Sequence, residues 1–166
     1  MSVAEAGTVS AVYLFVSSVG GFLGGPLADR WGARNVILWS LIIAVPFLAA
    51  APTQAGWTFV ALVSVGGCLL QSTLPVNVTF GQTIAPISAA TVSSIMMGFG
   101  WGMGGLAVPF VGMLADRIGI ERTLSAMAFM PLIAALFAAP LPPAKLGRTA
   151  ARASEVGTAE GMDVAR

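Results

Sequence analysis

Few side chains in this sequence can do chemistry, and most of them sit in two short charged islands. The first runs Gly24-Gly25-Pro26-Leu27-Ala28-Asp29-Arg30-Trp31-Gly32-Ala33-Arg34. The second, Val111-Gly112-Met113-Leu114-Ala115-Asp116-Arg117-Ile118-Gly119, repeats its core: Gly-x-Leu-Ala-Asp-Arg-x-Gly begins at Gly25 and again at Gly112. A carboxylate beside guanidinium groups at such a place suits reversible charge contacts. Asp29 can sit against the positive N-terminal end of a neighbouring helix, while Arg30 or Arg34 can pair with carboxylates or with helix C-terminal carbonyls. The plainer alternative is that the arginines only set orientation in a membrane. Catalysis has no such candidates. The chain has no His, and its single Cys68 lies in an apolar run where it packs as a small hydrophobe. No catalytic constellation, disulfide, metal site or cofactor is therefore predicted. The net charge of +1 gives no reason to expect a nucleic-acid partner.

The elements that carry these islands follow from what lies between them. From residue 35 to residue 115 there is no Asp, Glu, Lys or Arg. An uncharged apolar stretch of about 80 residues is too long for two bilayer crossings at ~20 residues each and fits three. Three helices between two copies of one motif put the copies on opposite membrane faces, the arrangement of an inverted-topology repeat. Composition agrees: 57% of residues are hydrophobic and 9% charged, against the roughly 25% charged of soluble domains. A soluble helical protein of this composition would have too little polar surface to cover its core. The predicted fold is an all-α integral membrane protein with five transmembrane helices in contact with the lipid bilayer.

The first crossing is read at about residues 7–28. It carries two stripes of small residues, Ser17, Gly21 and Gly25 on one and Gly20, Gly24 and Ala28 on the next, either of which would let a helix backbone approach. The second, 35–51, contains Pro46, which should kink it. The third, 57–80, opens on Trp57 as an interfacial anchor and contains Gln71, Ser72, Thr73, Pro75 and Asn77. Gln71 must face protein or a wet cavity, since lipid offers its amide no partner. An interhelical hydrogen bond without any ligand would satisfy it equally well. Residues 81–88 are read as a loop. The fourth crossing, 89–114, holds Met96-Met97-Gly98-Phe99-Gly100-Trp101-Gly102-Met103-Gly104. Its Met and aromatic side chains suit either an irregular ligand or plain packing. Gly21, Gly24, Gly98 and Gly102 are the expected packing contacts. The fifth crossing, 123–141, is stopped by Pro140, Pro142 and Pro143, and residues 144–166 read as a disordered tail.

Lys and Arg set the orientation. With the N-terminus outside, Arg30, Arg34, Lys145, Arg148, Arg152 and Arg166 lie in the cytoplasm and only Arg117 and Arg122 lie outside. The expected location is the cell's inner (plasma) membrane, multi-pass, with a cytoplasmic C-terminal tail. An outside N-terminus without a cleavable signal leads to the expectation that at least one earlier crossing precedes it. No carboxylate, His or basic side chain lies within a predicted crossing, so any proton carrier is expected elsewhere.

With these residues in place, the chain resembles the major facilitator superfamily. Its signature loop is Gly-x-Leu-Ala-Asp-Arg-x-Gly-Arg-Lys-x-x-Leu. Gly25, Leu27, Ala28, Asp29, Arg30, Gly32 and Arg34 match it, while Ala33 and Ile37 depart. The run from Pro75 to Pro142, with Gly81-Gln82, Ser93-Ser94-x-Met96-Met97-Gly98 and Trp101-Gly102-Met103-Gly104-Gly105, resembles the C-terminal helices of fosmidomycin-resistance-type exporters. The resemblance implies helices eight to twelve of a twelve-helix transporter that exports a drug or small solute by alternating access, with protons supplied, if at all, through a missing N-terminal half. It implies a conformational switch at Gly25, Asp29, Arg30, Gly32 and Arg34, and an echo of it at Gly112, Asp116, Arg117 and Gly119. It also turns the first, third and fourth crossings toward a central cavity, with Tyr13, Ser17, Gln71, Ser94, Met97 and Trp101 as candidate lining. A reading of another class stays open: a non-transporting membrane protein that associates with a full transporter, or with itself, through its Gly-rich helices.

The repeat generates a topology prediction. In a chain with Cys68 replaced, Ala33→Cys should react with an impermeant thiol reagent only from the cytoplasm and Ile120→Cys only from outside. Labelling of both by reagent applied to intact cells would overturn the three-crossing spacing.

Overall fold

Lipid supplies no hydrogen bonds, so an apolar chain must satisfy its own backbone, and a helix does this within a single segment. The computed structural model describes residues 3–84 and 89–141, and every element among them is helical. They are α1 (Val3–Trp31), α2 (Ala33–Ala50), a 3₁₀ turn (Ala51–Thr53), α3 (Gly56–Ile84), α4 (Ala89–Ile118), α5 (Ile120–Met127) and α6 (Met130–Ala138). Five stretches are long and apolar enough to cross a membrane, the last of them Ile120–Ala138, which joins α5 and α6. The chain is an all-α membrane protein. Its predicted tail, 144–166, lies outside the described residues.

The helices overrun the limits that hydropathy gives. At 29 residues, α1 is ~44 Å long, more than the ~30 Å hydrocarbon layer requires. Its last turn therefore carries Asp29 and Arg30, which sequence alone places beyond the crossing. Gly81 to Ile84, read as loop, form the last turn of α3. The fifth crossing is interrupted at Ala128–Phe129, ahead of Pro131 in the first turn of α6. Proline has no amide hydrogen and crowds the carbonyl four residues earlier. The chain instead makes a turn, with the Phe129 amide donating to Ala126 at 3.3 Å and the Leu132 amide to Phe129 at 3.0 Å. Pro26, Pro46, Pro75 and Pro109 all lie inside continuous helices.

The bundle is built around the contact of α1 with α3. A Cβ placed on Gly20 would overlap the Cys68 carbonyl, and one on Gly24 the Ser72 carbonyl. Both helices advance four residues between these contacts, as parallel neighbours do. The closely packed stripe is thus Gly20–Gly24–Ala28, and Ala28 is fully buried. Gly21 sits on the flank: its Cβ would lie 3.8 Å from the Gln71 carbonyl, an ordinary contact. Gly98 and Gly102, expected as packing positions, have nothing within 4 Å, because α4 diverges from α3 and buries none of its residues.

The second helix joins the pair from the side. Ser40 and Ser72 share a hydrogen bond of 2.9 Å between α2 and α3. Around it Ala33, Val36, Ile37 and Leu41 of α2 pack with Val76 and Phe80 of α3 and with Ala135 and Ala138 of α6.

This packing sorts the glycines by consequence. Gly20→Ala and Gly24→Ala should each destabilise the purified chain by about 1–3 kcal/mol, the usual cost of overpacking. Gly21→Ala and Gly102→Ala should leave the melting temperature in detergent unchanged or slightly raised. Equal tolerance at all four positions would mean that α1 and α3 do not touch at their backbones.

Candidate functional site

The two copies of the repeated motif form the same backbone device. Gly32 has φ 88° and ψ 141°, and Gly119 has φ 91° and ψ 150°. Only glycine enters this region without strain. Each glycine closes one helix and opens the next within a single residue. The Gly32 amide donates to Ala28 at 2.9 Å, and the Gly32 carbonyl accepts from the Val36 amide at 3.2 Å. The Gly119 amide donates to Ala115 at 2.9 Å, and its carbonyl accepts from Thr123 at 3.2 Å. Arg30 and Arg117 fall in the last turns of α1 and α4, where a cation complements the carbonyl end of the helix.

The charged groups differ in exposure. Asp29, Arg30, Asp116 and Arg117 are exposed, while Arg34 is half-buried at the start of α2. Its Nε is enclosed and makes no hydrogen bond among the described residues. Gly25 and Gly112, the first glycines of the two copies, lie within helices with open space where a Cβ would stand.

A second feature lies between α3 and α4. These helices enclose a cleft of about 710 Å³, walled on one side by Gln71, Leu74 and Asn77 and on the other by Met97, Gly100, Trp101 and Gly104. The α4 glycines expose bare backbone between the larger side chains. The wall offers two carboxamides, each able to donate and accept, together with polarizable apolar surface, and no charge. One end of the cleft is fastened: Gln82 Nε2 donates to Ser93 Oγ at 2.6 Å, joining α3 to α4. Beside this bond Gly81 packs against the side chains of Val92 and Met96, which a larger residue would displace.

Of the candidate lining residues, Gln71, Met97 and Trp101 come together in this cleft. Ser94 does not join them; it is on the exposed side of α4, and its hydroxyl donates to the Ala90 carbonyl at 2.9 Å. Tyr13 lines a separate cleft of about 340 Å³ with Val9, Leu14 and Phe59. Ser17 is buried in the seam between α1 and α3. Sequence reasoning named Asn77 among the polar residues of the third crossing without assigning it to the lining, and it missed the Gln82–Ser93 fastening. The available signal was a glutamine and a serine flanking a short link between two apolar runs.

The chain belongs to the major facilitator superfamily, whose sequence model matches residues 1–154. It is a multi-pass membrane protein. Among curated proteins, it is 34% identical over 136 residues to the uncharacterized MFS-type transporter YfnC of Bacillus subtilis (strain 168), a match covering 82% of this chain and 33% of that protein. It is also 34% identical over 125 residues to the fosmidomycin resistance protein of Escherichia coli (strain K12), covering 75% of this chain and 30% of that protein. The chain thus spans about a third of the length of these relatives. No solved structure matches it.

The glycines of the motif are not equivalent. Gly32→Ala and Gly119→Ala force a residue with a Cβ into a left-handed conformation, at about 1–3 kcal/mol each. Gly25→Ala and Gly112→Ala meet open space in a helix and should be neutral or slightly stabilising. Thermal unfolding of the four variants checks this, and a Gly32→Ala protein as stable as the parent would refute the tight turn.

Proposed function

We propose that the chain forms helices eight to twelve, the C-terminal part, of a secondary transporter that exports a drug or small solute by alternating access. The observation that carries this reading is the recurrence of one helix–glycine–helix turn, at Gly32 and at Gly119, with three spans between them. Turns so related lie at opposite membrane faces, and an inverted repeat of this kind lets one bundle rock about a site near the midplane. The cleft walled by Gln71, Asn77 and Trp101 supplies the substrate surface, and the name of the Escherichia coli relative favours a drug as substrate. Asp29, Arg30 and Arg34 act as the conformational contact on the cytoplasmic side, with the N-terminus outside and the tail inside. The carboxylates and arginines among the described residues sit at helix ends, so coupling protons pass through a carrier in the remainder of the transporter. The remainder also covers α4, none of whose side chains is buried here.

A fusion tests the proposal. The N-terminal part of the fosmidomycin resistance protein, joined to this chain, is expressed in exporter-deficient cells, with a size-exclusion profile as the control for folding. The folded fusion should lower intracellular accumulation of fosmidomycin or of another small solute, and the chain alone should not. Gln71→Ala in the fusion should weaken substrate binding about fivefold, the equivalent of one hydrogen bond. A folded fusion without efflux of any solute, combined with co-purification of the chain with intact transporters, would favour the non-transporting alternative.

A further inference from the structure

Two clefts between α1 and α3 play no part in the α3–α4 site. Both lie toward the amino-terminal ends of these helices, and they adjoin, since Val9 and Val60 stand in the walls of both. The outer cleft, of about 370 Å³, is also lined by Glu5, Thr8, Gly56 and Trp57. The inner one, of about 340 Å³, continues down the seam between Leu14 of α1 and Phe59 and Val63 of α3. Tyr13 also lines it, with its ring set against α3: a Cβ on Gly67 would stand 2.6 Å from Tyr13 Cε2, so the ring occupies the place that this glycine leaves.

The two clefts differ in chemistry. The hydroxyls of Thr8 and Ser10 donate back along α1, to Ala4 at 3.0 Å and to Ala6 at 2.9 Å. The outer cleft therefore presents the Glu5 carboxylate and the Trp57 indole, and the inner one presents alkyl and aromatic surface. At 29 residues α1 exceeds the hydrocarbon layer, so its first turns reach the level of the lipid headgroups. Trp57 is 66% exposed and has the amphipathic ring favoured at that level. From Glu5 to Leu14 the helix rises ~14 Å, about half of the ~30 Å hydrocarbon layer. A charged mouth above an apolar channel one leaflet deep has the form of a phospholipid site.

We propose that the paired clefts bind one phospholipid whose headgroup carries an ammonium. Glu5 pairs with the ammonium, and the Trp57 indole adds cation–π attraction and an N–H donor for the phosphate or ester oxygens. The carboxylate accepts up to about four hydrogen bonds, which leaves room for the ammonium beside a contact within the chain. One acyl chain lies along Val9, Leu14 and Val63. Among the described residues no Lys or Arg lines either cleft, so a headgroup of net negative charge meets only repulsion from Glu5. The lipid joins α1 to α3 nearer the membrane surface than Gly20 and Gly24, where the two backbones meet.

Native mass spectrometry of the full chain, released from nanodiscs of equal parts phosphatidylethanolamine and phosphatidylglycerol, tests the site. The parent should retain one phosphatidylethanolamine, about threefold in preference to phosphatidylglycerol, the equivalent of one exposed ion pair. Glu5→Gln should bring that ratio to about one. Val9→Trp, which fills the wall shared by the two clefts, should abolish retention of either lipid, with size-exclusion profiles as the control for folding of both variants. Equal retention of the two lipids by the parent, or an unchanged preference in Glu5→Gln, would overturn the proposal. So would a folded Val9→Trp chain that still holds phosphatidylethanolamine, which would put the lipid elsewhere. Retention of a dodecylammonium amphiphile but not of phosphatidylethanolamine would make the occupant a free amphipathic cation and overturn it too. Loss of the lipid on fusion to the N-terminal part of the fosmidomycin resistance protein would do the same, with a helix of the transporter as the occupant.

Discussion

Helices in a bilayer gain nothing by hiding apolar surface from one another, because lipid is as apolar as they are. What holds two of them together is close approach of their backbones and the polar contacts that approach allows. In this chain that condition is met where Gly20 and Gly24 face the carbonyls of Cys68 and Ser72. With no side chain between, each glycine presents an α-hydrogen to a carbonyl oxygen, a weak attraction that adds to dispersion over the whole contact. The remaining elements are arranged on this pair. Ser72 also bonds Ser40 and so brings in α2, and α2 in turn supplies the apolar face on which Ala135 and Ala138 of α6 rest.

The charged islands are shaped by the same solvent. A reversal of direction at the membrane surface must end one helix and begin another without leaving amides bare, and a glycine with positive φ does so in one residue. That is why the Gly-x-Leu-Ala-Asp-Arg-x-Gly pattern yields matching turns at Gly32 and Gly119 although their surroundings differ. Ala33 is buried against α3 and α6, whereas Ile120 is exposed. The turn is therefore a property of the local sequence, not of its packing.

The number and order of the spans were legible because a charge-free interval of fixed length admits only certain numbers of crossings. Gln71 was legible as well, since a carboxamide in lipid must face something polar, and it lines the α3–α4 cleft. Hydroxyls give no such guidance. Ser94 satisfies itself on the Ala90 carbonyl and is indifferent to where it faces, while Ser17, equally small, is enclosed without that bond. The phase of the packing stripe was hidden for a related reason. Gly21 and Gly24 both stand on runs of small residues, and only the position of α3 selects between them. Prolines pose the same difficulty: α1, α2, α3 and α4 close over theirs, and the last crossing breaks ahead of Pro131, a choice made by neighbours rather than by period.

The third helix unites these observations, because its two sides are under opposite demands. Toward α1 it is pinned by carbonyls that lie against glycine, and a shift there would drive backbone into backbone. Toward α4 it turns Gln71, Leu74 and Asn77 to an open cleft, held to its neighbour at one end by Gln82 and Ser93. Gln71 is held in place by the turn of helix that also carries Cys68 and Ser72 into the seam. The cleft wall carries no charged side chain. Isolated charges in a membrane interior are costly to maintain, and the polar groups of this wall are the neutral amides of Gln71 and Asn77 beside Met97 and Trp101. One side of α3 is thus pinned at its backbone, while the other lines the open cleft.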